Sequence, residues 1–390
     1  MLQNLSQEVH RRTRADPTQP WIGAIGLAVA VGIAYFIAAQ LSLALLTKPD
    51  GVAVFWPAAG VSCGLLIALG RDARLPVAGG VMVATVIANL MADRNIWSAT
   101  AFALCNAGEA LLTAWLIERY FSSSFGLDRL RNVLGLLAAA VVATAASGIG
   151  GMAAFKLFHS PTAPIWTIWH HWFASDAVGI ITVAPLVIGL AKALRERPPR
   201  NEIIEGVVAL VASAVVNAVI VLLPAQPWEM VLPSVLMFPV LLWLAARCRP
   251  VFAAAAAFVA CLTIVWTMTF GIGHFADPVI PIGDRILNAQ AAILGITLKA
   301  YVLAALFAER RHHEAVLEES ETRLQEALTV GAVMAFESDP RSGLSQRSEN
   351  AAQILGFGPH QLFTADQFFE RIHPDHDFLP TVHGLLPRKC

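Results

Sequence analysis

The sequence has little charge: only 14% of its 390 residues are Asp, Glu, Lys or Arg, against about 25% in an ordinary soluble chain. The 27 basic and 28 acidic residues give a formal net charge of −1, so no general basic field points to nucleic acid. Cysteine is also scarce. Cys63, Cys105, Cys248, Cys261 and Cys390 are scattered, with no CxxC pair and no zinc-finger spacing, so neither a metal centre nor a disulfide framework is indicated. The motifs G-x-x-x-x-G-K-[ST], G-x-G-x-x-G and H-E-x-x-H are all missing. With them go the phosphate cradle and the zinc-protease helix. No catalytic residue and no cofactor are expected in this chain.

What is present is apolar. Hydrophobic residues make up 56% of the chain, and they fall in runs of roughly 20, the length a helix needs to cross a bilayer core. The runs are Trp21–Leu45, Val52–Leu69, Val77–Met91, Trp97–Ile117, Val133–Leu157, Trp172–Leu194, Ile203–Leu223, Met230–Ala246, Val251–Phe270 and Ile286–Phe307. The first follows Arg11, Arg12 and Arg14 and is too long for a cleaved signal peptide, so it reads as a retained span. The second and eighth are short and contain or adjoin proline, and either could be re-entrant. The predicted fold is an all-α polytopic membrane bundle of about 8–10 transmembrane helices, with the lipid bilayer as its first partner.

Loop charge tests the count. With ten spans, one side carries Arg11, Arg12, Arg14, Arg71, Arg74, Arg119, Arg129, Arg131, Lys192, Arg195, Arg197, Arg200, Arg247, Arg249, Arg310 and Arg311. The other carries only Lys48, Arg94, Lys156 and Arg285. The positive-inside rule then places both termini in the cytoplasm of a bacterial inner membrane. Tryptophans such as Trp97, Trp166, Trp169 and Trp172 at one boundary, and Trp21, Trp115 and Trp243 at the other, form the expected aromatic belts.

Ionisable residues inside a bilayer are costly and are candidates for function. Glu109 lies near the middle of the fourth span, with Asn106 and Thr113 on the same helical face. Lys299 lies at similar depth in the tenth. The expectation is an intramembrane pair, Glu109 with Lys299, with Asn106 beside it. A second group is expected to converge on an outward-facing mouth that would take a small polar ligand of unknown identity. Its members are Trp56, Pro57, Asn89, Asp93, Trp169, Trp172, Asp176 and Asn288. Aromatic walls with a few polar groups are the usual make-up of such a site. The competing reading is interfacial anchoring by the tryptophans and helix-end capping by the acids. His159, His170, His171 and His274 share that side, but no HxH or HxxxH spacing supports a metal. Gly148, Gly150 and Gly151 are expected to break the fifth span and Pro185 to kink the sixth. Broken helices line transporter sites, so a small-solute transporter or channel is an alternative.

After Phe307 the composition turns polar. Glu309–Leu328 reads as a helix continuing from the last span, with a two-heptad stripe at Leu317, Ser320, Leu324 and Ala327. His312-His313-Glu314 reads as an inner-surface anchor.

Several short runs then carry a resemblance. Phe55-Trp56-Pro57-Ala58-Ala59-Gly60, the basic turn Arg71-Asp72-Ala73-Arg74, Asn89, Asn106-Ala107-Gly108-Glu109-Ala110 and the run Trp172–Leu186 follow in order. Together they resemble the first class of MASE-type membrane-associated sensor domains, over roughly Trp21 to Phe307. The resemblance implies an input module of the kind found ahead of histidine kinase or diguanylate cyclase outputs, acting as a homodimer through the cytoplasmic helix. Ala335–Asp339, Ile354–Phe357 and Phe368–Asp375 resemble the first half of a PAS domain. The expected organisation is a tail 1–20, a sensor 21–308, a signalling helix 309–329 and an incomplete PAS-like α/β segment 330–390. No output domain follows, so the chain itself is not expected to be an enzyme. An inactive truncated remnant is the third reading.

Overall fold

The computed structural model describes residues 19–45, 53–92, 94–121, 125–159, 164–222, 232–272, 275, 277, 279–338, 345–348, 350, 351 and 354. The chain divides at Glu309–Arg310 into two units. Among the described residues of the first unit, apolar run length translates into ten helices. They are α1 (Gln19–Ala44), α2 (Pro57–Leu69), α3 (Arg74–Met91), α4 (Ile96–Tyr120), α5 (Leu130–Phe158), α6 (Ile165–Arg195), α7 (Arg200–Leu222), α8 (Leu232–Arg247), α9 (Pro250–Thr269) and α10 (Ile282–Val330), with a 3-10 turn Arg71–Ala73 between α2 and α3. Eight are long and apolar enough to cross a membrane, and α2 and α8 are shorter. The protein is therefore a multi-pass integral membrane protein with eight candidate spans, and its two short helices are the second and eighth, as their prolines predicted.

The helices sort by face. On α1, Trp21, Ile22, Ile25, Val29, Ile33 and Ile37 are exposed while Val31, Tyr35, Ala39 and Ser42 are buried, the pattern of a helix with one side to lipid. Buried faces are built from small residues, as on α9 with Ala253, Ala254, Ala256, Ala257 and Ala260. In a bilayer, close packing and interhelical hydrogen bonds hold helices together, because lipid is as apolar as leucine. The tightest seam is α2 against α6. A Cβ on Gly64 would lie 2.7 Å from Val187 Cβ and 3.1 Å from the Ala184 backbone, so only glycine permits that separation.

Polar contacts define the two ends. At one, Glu118 accepts from Arg71 Nε (2.8 Å) and Arg74 Nη2 (2.6 Å), and Lys192 pairs with Asp128. Arg195 donates to the Ala68 carbonyl (2.9 Å) and Arg249 to that of Glu196 (2.7 Å). Arg247 pairs with Glu205 (2.9 Å) and Arg249 with Glu202 (3.4 Å). These bonds join the C-terminal ends of α2, α4, α6 and α8 to the N-terminal ends of α3, α5, α7 and α9. At the other end Thr269 Oγ1 donates to the Leu45 carbonyl (3.1 Å), and Arg94 lies 5.3 Å over the Phe102 ring. The loops that the charge count assigned to one side are bonded to one another at one end.

The second unit contains the end of α10. Beyond it β1 (Phe336–Ser338) pairs antiparallel with β2 (Ser345–Arg347), Phe336 opposite Arg347. Asn350 Nδ2 donates to the Val333 carbonyl (2.8 Å). Of the α/β segment predicted after Val330, the described residues show this ribbon. The motif at Phe368–Asp375 and nearly all of Ile354–Phe357 lie outside them.

Candidate functional site

The chain enters α2 as non-helical backbone. Val54 and Phe55 are buried, so their peptide groups need partners inside the protein, where no water replaces them. Three distant helices supply these. Trp56 N–H donates to the Ser175 carbonyl of α6 (2.9 Å). Gln290 Nε2 of α10 donates to the Val54 carbonyl (2.9 Å), and Ser42 Oγ of α1 to the Phe55 carbonyl (3.2 Å). Pro57 at the first turn of α2 needs no acceptor. Residues 53–69 thus run alongside α6 as a short non-helical segment followed by a short helix, ending where Arg195 reaches Ala68.

The polar centre lies where this segment meets α4 and α6. Glu109 is 3% exposed and Asp176 5%, and their carboxyls lie within hydrogen-bonding reach of each other. Ser147 of α5 also reaches Glu109. Its hydroxyl accepts from Trp172 Nε1 (3.2 Å). Asn106 Nδ2, one turn before Glu109, donates to Tyr35 Oη of α1 (2.9 Å), and Trp56 and Thr85 reach the same phenol. The second oxygen of Glu109, Oε2, is sealed from solvent without a hydrogen-bond partner.

Several sequence expectations change here. Asp176 does not sit near the outer end of its helix, where a sixth span beginning at Trp172 would put it. The stretch Ile165–His171 continues α6 toward its N-terminus, which puts Asp176 eleven residues, roughly 17 Å, from the helix start and level with Glu109. Among the described residues no ion pair joins Glu109 to Lys299; the carboxyl beside Glu109 is that of Asp176. The reason is helix placement. α4 packs on α2, α3 and α5, whereas α10 reaches α6 through Tyr301, whose hydroxyl donates to the Thr182 carbonyl (3.2 Å). Lys299 itself is half-buried.

The glycines of α5 do not break it. A Cβ on Gly151 would sit 2.6 Å from the Trp172 ring, and one on Gly148 3.1 Å from Trp169 Nε1. They form a shelf for two indoles in a helix unbroken from Leu130 to Phe158.

Of the residues predicted at a mouth, Trp56 and Pro57 adjoin Ser175 and Asp176 through the bond above, and Trp172 joins them through Ser147. Trp169 donates to the Ala145 carbonyl (3.2 Å) and stacks on Phe173 (5.1 Å) and Trp166 (4.7 Å). Asn89 donates to Thr85 O (2.8 Å) and accepts from Arg94 (3.1 Å), which completes the end of α3. Asn288 is half-buried on α10, two residues before Gln290. Asp93 and His274 lie outside the described residues. Phe102 bridges Trp172 (5.2 Å) and His159 (6.2 Å). Burial, followed by the charge of Arg94, holds the His159 imidazole below its ordinary value. Among the described residues, no group of three or more His, Cys, Asp or Glu is placed to hold a metal ion.

Sequence reading missed Tyr35, Ser147, Ser42 and Gln290. Each is a single polar residue on an apolar helix, and its only signal is that a buried polar atom in a bilayer needs a partner.

A family model described as MASE1 matches residues 26–311. No curated protein and no solved structure matches the chain.

Proposed function

Since the chain belongs to the MASE1 family of membrane sensor domains, we propose that it is the input module of a bacterial signalling protein. In this reading both termini face the cytoplasm and α10 carries a change in the bundle to the segment beyond Glu309. The observation that carries the proposal is α10 itself. One helix, Ile282–Val330, contains both the last apolar stretch and the polar stretch Glu309–Val330, so rotation or translation of its membrane part moves a cytoplasmic element. The residues from Val330 onward act as the first half of a PAS-like relay, and dimerisation runs through the polar part of α10. The sixteen basic loop residues supply the orientation.

Signalling requires two packings of the bundle that bind the signal differently, with a coupling on the order of 1–3 kcal/mol. Activity reporters fused after Ser320 test the orientation: a cytoplasmic reporter should be active there and a periplasmic one silent, and the opposite pattern refutes it. A kinase or cyclase output fused after Val330 tests the relay. Insertion of one to four residues at Val316 turns the helix by about 100° each, so output should vary with helical phase; output indifferent to all four insertions refutes it.

The non-helical segment before α2 favours a second reading, since discontinuous helices with inward carboxyls line transporter sites. Solute flux through vesicles carrying the full chain, abolished by Asp176→Asn, would select that reading instead.

A further inference from the structure

Around Glu109 and Asp176, each packed helix contributes a defined set of groups. The titratable ones are Tyr35 on α1, Cys63 on α2 and Cys105 on α4. α3 and α5 contribute the uncharged Thr85 and Ser147. No basic side chain is among the groups acting on either carboxyl. Two carboxylates in contact can only accept hydrogen bonds and repel each other, whereas one carboxyl and one carboxylate can bond through an O–H. The buried, unpartnered Glu109 Oε2 has the same need.

We propose that Glu109 and Asp176 form a proton-binding site, holding one proton between α4 and α6 where both helices pack on α2 and α5. A proton is the cation that needs no cavity, and it converts the contact from repulsion to a bond. Its departure leaves two carboxylates facing each other, and the strain falls on the seam where Trp56 meets Ser175 and Trp172 meets Ser147. The half-buried Trp172 and Cys105 lie on the side away from the basic loops, which makes that side the route of exchange. The inference stands whether or not the chain relays a signal, because the test reads protonation alone.

The experiment is an infrared pH titration of the full chain in lipid vesicles, following the carbonyl band of protonated carboxyl, with tryptophan fluorescence read in parallel. The wild type should show a protonated carboxyl at neutral pH that disappears on alkalinisation, together with a change in tryptophan emission. Glu109→Gln and Asp176→Asn should each remove or displace that band, and Lys299→Met should leave its midpoint unchanged. Should the amide variants fail to assemble, Asp176→Glu keeps both carboxyls and should move the midpoint at least threefold in proton activity. A wild type without a protonated carboxyl at neutral pH overturns the proposal. So does a midpoint unmoved in every carboxyl variant, or one displaced by sodium at constant pH, which would make the site a metal-cation site.

Discussion

Gly179→Ala tests the seam that positions the polar centre. A Cβ at this position would lie 2.6 Å from the Trp56 carbonyl carbon and 3.3 Å from Pro57 N, and closer still to the Trp56 oxygen. These are backbone atoms at the start of a helix, so no rotamer change relieves the clash, and α2 must retreat by roughly 1 Å to restore ordinary contact. Overpacking of this kind costs about 1–3 kcal/mol. The retreat also stretches the 2.9 Å bond from Trp56 N–H to Ser175, which adds about 1 kcal/mol. The expected loss is therefore about 3 kcal/mol in reversible detergent unfolding. Gly108→Ala is the control: it sits on α4 with nothing within 4 Å of the added carbon, and it should be neutral or stabilising by up to about 1 kcal/mol. Equal stability of the two variants would refute the close approach of α2 and α6.

Tyr35→Phe strands the Asn106 amide inside the bundle and should cost about 1–2 kcal/mol in the same unfolding assay, with Asn106→Leu recovering part of the loss. Glu118→Gln weakens the bonds to both Arg71 and Arg74; because Arg71 is largely exposed, the expected cost is only about 1 kcal/mol, reduced by salt. His159 supplies a pH dependence. Its folded value lies below the ordinary 6.5, so the unfolded chain takes up a proton first as pH falls. Stability is full above pH 6.5 and declines as pH falls through the folded value. Melting temperature of the wild type relative to His159→Gln, measured from pH 7.5 downward, should drop, and Arg94→Gln should reduce that relative drop; a difference that does not change with pH would remove His159 from the account.

The ten helices were legible because a span is a matter of apolar length. Trp97–Ile117 against α4 and Val251–Phe270 against α9 differ by only a few residues at each end. The gathering of Arg71, Arg74, Arg247 and Arg249 into ion pairs at helix ends was legible for the same elementary reason, since arginine is kept out of the hydrocarbon. The non-helical backbone at residues 53–56 was not, because hydropathy is blind to whether a buried apolar stretch is helical, and Ser42, Ser175 and Gln290 lie far away in sequence. Asp176 was recognised singly but misplaced in depth: Trp166, Trp169, His170 and His171 look like an interface, yet they continue the helix. Glu109 was likewise recognised and given the wrong partner, because one helix's periodicity fixes its own faces and leaves open which neighbour each face meets. The glycines of α5 show a further limit. Glycine signals a break and a close approach alike, and only the indoles of Trp169 and Trp172 decide between them.

The most direct test is a pair of double-mutant cycles in reversible unfolding. Glu109→Gln combined with Asp176→Asn should show a coupling of at least about 1 kcal/mol of either sign, and Glu109→Gln combined with Lys299→Met should add within about 0.5 kcal/mol. Strong coupling of Glu109 to Lys299 with none to Asp176 would contradict the placing of the Glu109 carboxyl beside that of Asp176.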